Sequence, residues 1–239
     1  MKRVLALTLT LASFATVAHA DVIVPSSLTA VEGNSNNGFP FNISAFGHTS
    51  QRYQQVYLSS EFDSAFLITG MTFRPDAVSG GAFASVLPSI QIDLSTTLAG
   101  PDSLSATFAS NVGGDVTTVF SGALALSSAF TGPVGGPKAF DISIVFTTPF
   151  LYDPSLGNLL FDVRNFGGGF TTQFDAHLAG GDPISRNYSL GGGVGSASGV
   201  LDTSGLVTKF QTQAVPEPAA VVLLSGGLLY LRSRRRQRF

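Results

Sequence analysis

Hydrophobic and polar residues alternate with a period of two along much of the middle of the chain. In residues 89–94 the side chains of Ile90, Ile92 and Leu94 share one face, and residues 140–146 repeat this pattern. Such alternation is typical of a half-buried β-strand, because successive side chains point to opposite faces. Similar segments predict strands at residues 55–58, 66–73, 116–126, 159–164, 172–178, 185–190 and 206–213. The pattern predicts about nine or ten strands in all.

Clusters of turn-forming residues separate the predicted strands. They lie at residues 74–76, 112–115, 152–158 and 167–169. Short strands without intervening helices pair antiparallel rather than in βαβ units. We therefore predict an all-β fold, an antiparallel two-sheet sandwich of jelly-roll or immunoglobulin-like type, in one domain over residues 21–213. Residues 187–204 are rich in Gly and Ser and are predicted to be a mobile loop.

The first 20 residues have the three parts of a secretory signal peptide. Lys2 and Arg3 form a basic start, and residues 4–17 are apolar apart from Ser and Thr. Ala18 and Ala20 then match the small-x-small pattern that signal peptidase recognises. We predict a signal helix over residues 1–20, cleavage after Ala20, and delivery by the export machinery.

The last 26 residues, 214–239, also combine three parts in a fixed order. The motif Val215, Pro216, Glu217 and Pro218 is extended, because each proline disfavours a helical residue before it. Residues 219–231 are uncharged and form a predicted membrane helix, shorter than the roughly 20 residues of a comfortable bilayer span. A basic stop over residues 232–239 contains Arg232, Arg234, Arg235, Arg236 and Arg238. Cationic flanks of this kind stay in the cytoplasm.

This order of motif, apolar segment and arginines resembles the PEP-CTERM sorting signal of exported bacterial proteins. The resemblance implies that an exosortase, a membrane protease, cuts near residues 216–218. It further implies a transient stay in the inner membrane, followed by release to the cell surface or to an extracellular matrix of exopolysaccharide and biofilm. Residues 52–57, 68–76 and 148–154 also resemble segments of such proteins, and they imply only a β-rich ectodomain.

Charge and composition narrow the classes of function. Residues 21–213 carry six basic and fourteen acidic side chains, a net charge of −8 by difference (6 − 14). An acidic surface without a basic cluster argues against nucleic acid as a partner. The chain contains no cysteine, which excludes thiol catalysis and cysteine-ligated metal centres.

The sequence contains none of the common enzymatic motifs, so we predict a non-enzymatic structural or adhesive protein without cofactor or metal. Asp93, Asp141 and Asp162 alternate with apolar neighbours, and we expect them on solvated faces. Three aspartates in predicted loops would supply oxygen ligands to a calcium ion: Asp115, Asp153 and Asp182. Turn formation explains the positions of these aspartates better.

Two other functions stay open at this point. A glycan-binding module would stack a sugar on one of four tyrosines: Tyr53, Tyr57, Tyr152 or Tyr188. A secreted hydrolase would need His48 or His177 beside a carboxylate and a serine in one pocket.

Overall fold

The computed structural model describes residues 21–215, which form β-strands joined by turns and by short 3-10 helices. The strands are β1 Val22–Val24, β2 Ser35–Asn37, β3 Gln51–Tyr57, β4 Phe66–Phe73, β5 Phe83–Thr97, β6 Thr117–Ser128, β7 Ile142–Tyr152, β8 Asn158–Asn165, β9 Phe174–Leu178, β10 Ile184–Tyr188, β11 Val200–Asp202, β12 Ser204–Leu206 and β13 Thr208–Ala214. The helices are Ser26–Leu28, Ile43–Phe46, Ser59–Glu61, Phe108–Asn111, Pro154–Leu156 and Gly193–Gly195. None of these helices has the length and hydrophobicity that a bilayer crossing requires.

The strands assemble into three sheets, in which the pairings are antiparallel. A four-stranded sheet has the order β1-β13-β4-β7, and a six-stranded sheet has the order β11-β10-β3-β8-β5-β6. A small sheet, β12-β9-β2, is the third. The predicted all-β, antiparallel class is confirmed. We expected two sheets, and the third arises because β9 pairs with two three-residue strands instead of joining a larger sheet.

One hydrophobic core lies between the sheets. Phe66 and Phe73 of β4 and Phe161 and Val163 of β8 point into it and are fully buried. A bulge at Thr69 shifts the alternation within β4. A smaller cluster of Val56, Leu104 and Leu160 lies apart from this core. It forms where the segment between β5 and β6 folds back over the six-stranded sheet.

The predicted strands correspond to nine of the observed ones, and the prediction for β4 has the observed bounds. Four strands of three residues were missed: β1, β2, β11 and β12. Residues 187–204, predicted as a loop, contain β11 and a short helix. The last strand, β13, continues to Ala214, one residue beyond the predicted domain boundary.

Candidate functional site

The described chain begins and ends on two neighbouring strands. In the pairing of β1 with β13, Val22 lies opposite Phe210 and Val24 opposite Thr208. An ion pair of 2.8 Å between Lys209 Nζ and Asp21 Oδ2 fastens the start of β1 to β13. Continuing this register places Asp21 near Gln211, three residues or about 10 Å from the end of β13. Both termini of the described chain therefore point towards the same end of the domain.

The sorting motif begins directly after the last strand. Ala214 is still paired with Phe66 of β4, and Phe66 is paired on its other side with Tyr152 of β7. Val215 follows and is 37% exposed. The other predicted processing residues lie outside the described residues: Ala18, Ala20, Pro216, Glu217, Pro218, Arg232, Arg234, Arg235, Arg236 and Arg238. No linker separates the folded domain from Val215.

The tyrosines do not form the exposed platform that a stacked sugar would need. Tyr53, Tyr57 and Tyr152 are fully buried, and burial raises the pKa of each hydroxyl above its ordinary value. Tyr188 is half-buried between the ring of Phe39 and the guanidinium of Arg186. A sugar therefore has no access to Tyr53, Tyr57 or Tyr152, and the prediction that one of these three would stack on a glycan is wrong. The sequence predicted a strand at Tyr57 and a turn at Tyr152, and neither prediction said whether the side chain would be buried.

The histidines lie in different surroundings. The ring of His48 meets that of Phe39 edge-on, with centroids 5.8 Å apart. His177 Nδ1 lies 2.7 Å from Asp182 Oδ2 in the turn before β10. Burial raises the pKa of Asp182, and the hydrogen bond with His177 opposes this shift. This contact joins β9 to the turn before β10.

Two of the three aspartates expected on solvated faces are buried, so that prediction is wrong for Asp93 and Asp162. They lie opposite each other on β5 and β8, and each has an arginine partner. Arg52 donates through Nε and Nη2 to Asp162, and Arg164 donates through Nη1 to Asp93. The segment between β5 and β6 covers this face, because Gln54 beside Asp162 also donates to the carbonyl of Phe108. The third, Asp141, is half-buried and accepts a hydrogen bond from the amide of Ala129.

The three loop aspartates considered for calcium take part in local turns. Asp115 accepts a hydrogen bond from the amide of Thr96, and Asp153 accepts from the amide and hydroxyl of Ser155. Asp182 accepts from the amide of Ile184 as well as contacting His177. The contacts of Asp153 and Asp182 agree with the turn interpretation of the sequence. The contact of Asp115 instead joins the start of β6 to the end of β5.

A different group of carboxylates does converge. Oxygens of Glu32, Asp76 and Asp175 lie within 4.8 Å of one another. The positive charge beside these carboxylates is that of Arg74, which is only 1% exposed. Its Nε donates to Asp175 Oδ2 at 2.6 Å. Calcium requires about 6 to 8 oxygen ligands, whereas the Asp175 oxygens already accept hydrogen bonds from Arg74 and from the amide of Gly33. The arrangement fixes the chain just before the turn at residues 77–79.

The sequence predicted a turn at residues 74–76, where the structure has a β-bridge of Pro75 with Phe174 and the turn follows at residues 77–79. It did not predict the burial of Arg74. Arginines next to a turn are usually solvated, and nothing in the Arg-Pro-Asp pattern marks an exception. The buried position follows from residues far away in the chain, because Arg74 Nη2 donates to the carbonyls of Leu28 and Val31.

Burial raises the pKa of Asp175 to about 6, although the ion pair with Arg74 opposes this shift. A raised pKa means that protonation favours the folded state. The contribution is fully present below pH 3.8 and is lost as the pH rises through 6. Between pH 8 and pH 4, the free energy of unfolding of the native chain should therefore gain about 3 kcal/mol relative to Asp175→Asn. Urea titrations at several pH values measure this difference.

Asp153→Asn is the matched control for this pH dependence. Hydrogen bonds from Ser155 lower the pKa of Asp153. The difference in unfolding free energy between the native chain and Asp153→Asn should therefore change with pH in the opposite direction. Parallel pH profiles for Asp175→Asn and the native chain would contradict the prediction.

One small cavity lies beside the edge of the six-stranded sheet. It has a volume of about 140 Å³ and is lined by Asp102, Leu104, Ser185, Arg186, Leu201, Asp202 and Thr203. Sites for small molecules usually measure about 300–1,000 Å³. The cavity therefore gives little support to a substrate or sugar site.

No protein-family model matches the chain, and a search of the curated proteins finds no similar one. The PEP-CTERM assignment therefore stays a prediction from residues 215–239, and the class that the structure defines is an antiparallel β domain.

Proposed function

We propose that this chain is an exported, non-enzymatic protein that a membrane protease of exosortase type processes at Val215–Pro218. After processing it serves a structural or adhesive role at the cell surface or in an extracellular matrix of exopolysaccharide. In this proposal the four-stranded and six-stranded sheets are the two layers of a sandwich of jelly-roll or immunoglobulin-like type.

The pairing of β1 with β13 is the observation that supports this proposal most. Until the signal is cleaved, the segment before Asp21 and the apolar segment after Val215 would both lie in one bilayer while the domain stands outside it. Because both termini of the domain point towards one end, a folded domain satisfies this requirement without any unfolding. The transient partners are then the export machinery, the inner membrane and the protease.

The interior of the domain supports a non-enzymatic role. Most of the buried charged residues are engaged in pairs such as Arg52–Asp162 and Arg74–Asp175, and three tyrosines fill the core. Catalytic groups need access to a substrate, and these groups have none.

Replacing both Pro216 and Glu217 by alanine should abolish removal of the tail while export continues. The alanine pair removes the extended backbone and the carboxylate that the motif presents. Mass spectrometry of protein from cells and medium of the native host should find the native chain without residues 1–20 and without the residues after about Pro218. The variant should keep its arginines and stay with the cells.

Pro133→Ala serves as the control, since Pro133 lies in an exposed turn of the domain and should not affect processing. A native chain that keeps its arginine tail in a host with an active exosortase would refute the proposed function.

A further inference from the structure

Three exposed apolar side chains lie at the end of the domain from which Val215 leaves. Leu98 is 90% exposed, Leu156 is 65% exposed and Val116 is 49% exposed. We call Leu98, Val116 and Leu156 the exit-end patch. Exposed large apolar residues are unremarkable singly, but neighbouring ones mark interaction surfaces.

Contacts among the loops bring the patch together. Asn158 lies two residues after Leu156. It pairs with Thr97 and donates through Nδ2 to the carbonyl of Ala99, so it contacts the residues on both sides of Leu98. Asp115, next to Val116, accepts from the amide of Thr96 at 2.8 Å. All three patch residues therefore lie within two residues of a contact with the end of β5.

The patch is also connected to the point where the chain leaves the domain. Tyr152 donates its hydroxyl to the carbonyl of Gly157 at 2.8 Å, directly after Leu156. Tyr152 is paired with Phe66, which is paired in turn with Ala214. A protein that binds residues 215–218 at this end consequently meets the patch.

The charges around the patch have one sign. The connections at this end, residues 58–65, 98–116, 153–157 and 179–183, contain no lysine or arginine. They contain the acidic residues Glu61, Asp63, Asp102, Asp115, Asp153 and Asp182. Five of the domain's six basic residues pair with acids elsewhere.

We propose that the exit-end patch is the surface on which the tail-processing membrane protein docks. This inference rests on the function proposed above. The partner is an integral membrane protein whose outer surface offers an apolar depression flanked by lysine or arginine. The position of Val215 selects this occupant, because in the proposed function a protease that cuts at residues 215–218 must approach the end of the domain at which Val215 leaves. The acidic rim disfavours the other candidate, an anionic bilayer surface, through repulsion.

The test compares rates of tail removal by pulse-chase labelling in the native host. The variant Leu98→Ser with Leu156→Ser should lose its tail at least about tenfold more slowly, because full burial of even one of the two leucines contributes about a tenfold factor or more to binding. The control variant Val78→Ser with Val134→Ser changes two largely exposed residues outside the patch, 87% and 102% exposed, and should match the native rate. Melting temperatures of all three proteins should agree, since exposed substitutions seldom affect stability.

Equal rates for the patch variant and the native chain would overturn the docking proposal while leaving the proposed function intact. A native chain that is never processed would overturn the proposed function, and the docking proposal with it.

A second measurement separates the protein partner from the bilayer. The processed protein is mixed with vesicles of phosphatidylethanolamine and phosphatidylglycerol and sedimented. We expect it to remain in solution. Vesicle binding that the Leu98→Ser, Leu156→Ser variant loses would assign the patch to the bilayer and overturn the proposal.

Discussion

Replacing Arg74 by methionine is expected to lower the free energy of unfolding by about 3–5 kcal/mol, because it leaves a buried charge without its partner. Arg74 donates to Asp175 Oδ2 and to the carbonyls of Leu28 and Val31. Its guanidinium carbon also lies 4.8 Å from the centre of the Phe140 ring. Methionine has a similar length but no donor, so one carboxylate and two carbonyls lose hydrogen bonds. Urea unfolding monitored by circular dichroism measures the change.

Lys209→Met is the control for loss of an ion pair at the surface. Lys209 and Asp21 are both about a third exposed, and such pairs contribute only about 0–1 kcal/mol. Combining Arg74→Met with Asp175→Asn should restore part of the stability, since the uncompensated charge is then gone. Losses of equal size for Arg74→Met and Lys209→Met would contradict the importance given to the buried pair.

Phe73→Ala is expected to cost about 3–5 kcal/mol as well, through loss of apolar contacts and the cavity that remains. Phe73 on β4 is fully buried, and its ring lies 6.3 Å from that of Phe161 on β8 and 5.9 Å from that of Phe174 on β9. This one side chain therefore contacts residues from all three sheets. Chemical unfolding should show a lower midpoint with an unchanged slope.

The comparison is Phe170→Ala, which truncates the same residue type where it is 68% exposed. Its effect should stay within about 0.5 kcal/mol. If Phe73→Ala lowered the unfolding free energy by less than Phe170→Ala, the sheets would have to pack differently from the arrangement described here.

Strands were predictable from the sequence where one face of a long strand is buried. Residues 159–164 alternate because β8 presents every second side chain to the core, and residues 66–73 alternate on each side of a bulge at Thr69 in β4. Strands of three residues, such as β1 and β2, contain too few positions to show a period. They are strands only because β13 and β9 offer them a free edge.

The burial of charged residues was not predictable in the same way. Alternation correctly placed Asp93 and Asp162 on the face opposite the core, and the usual inference is that this face meets water. Here the segment containing Phe108 folds over it, and the short-range pattern of β5 and β8 carries no information about that segment. The tail motif was predictable because it is a linear order of residues. Such an order can be recognised in the sequence without knowledge of the fold.

The pairing of β1 with β13 also determines when the domain can finish folding. Val22 and Phe210 are separated by nearly the whole domain, so their contact contributes a high contact order and forms slowly. A chain still emerging from the ribosome has β1 without its hydrogen-bonding partner until the residues of β13 have appeared. The four-stranded sheet is therefore completed late, when β13, the last strand to be synthesised, pairs with β1.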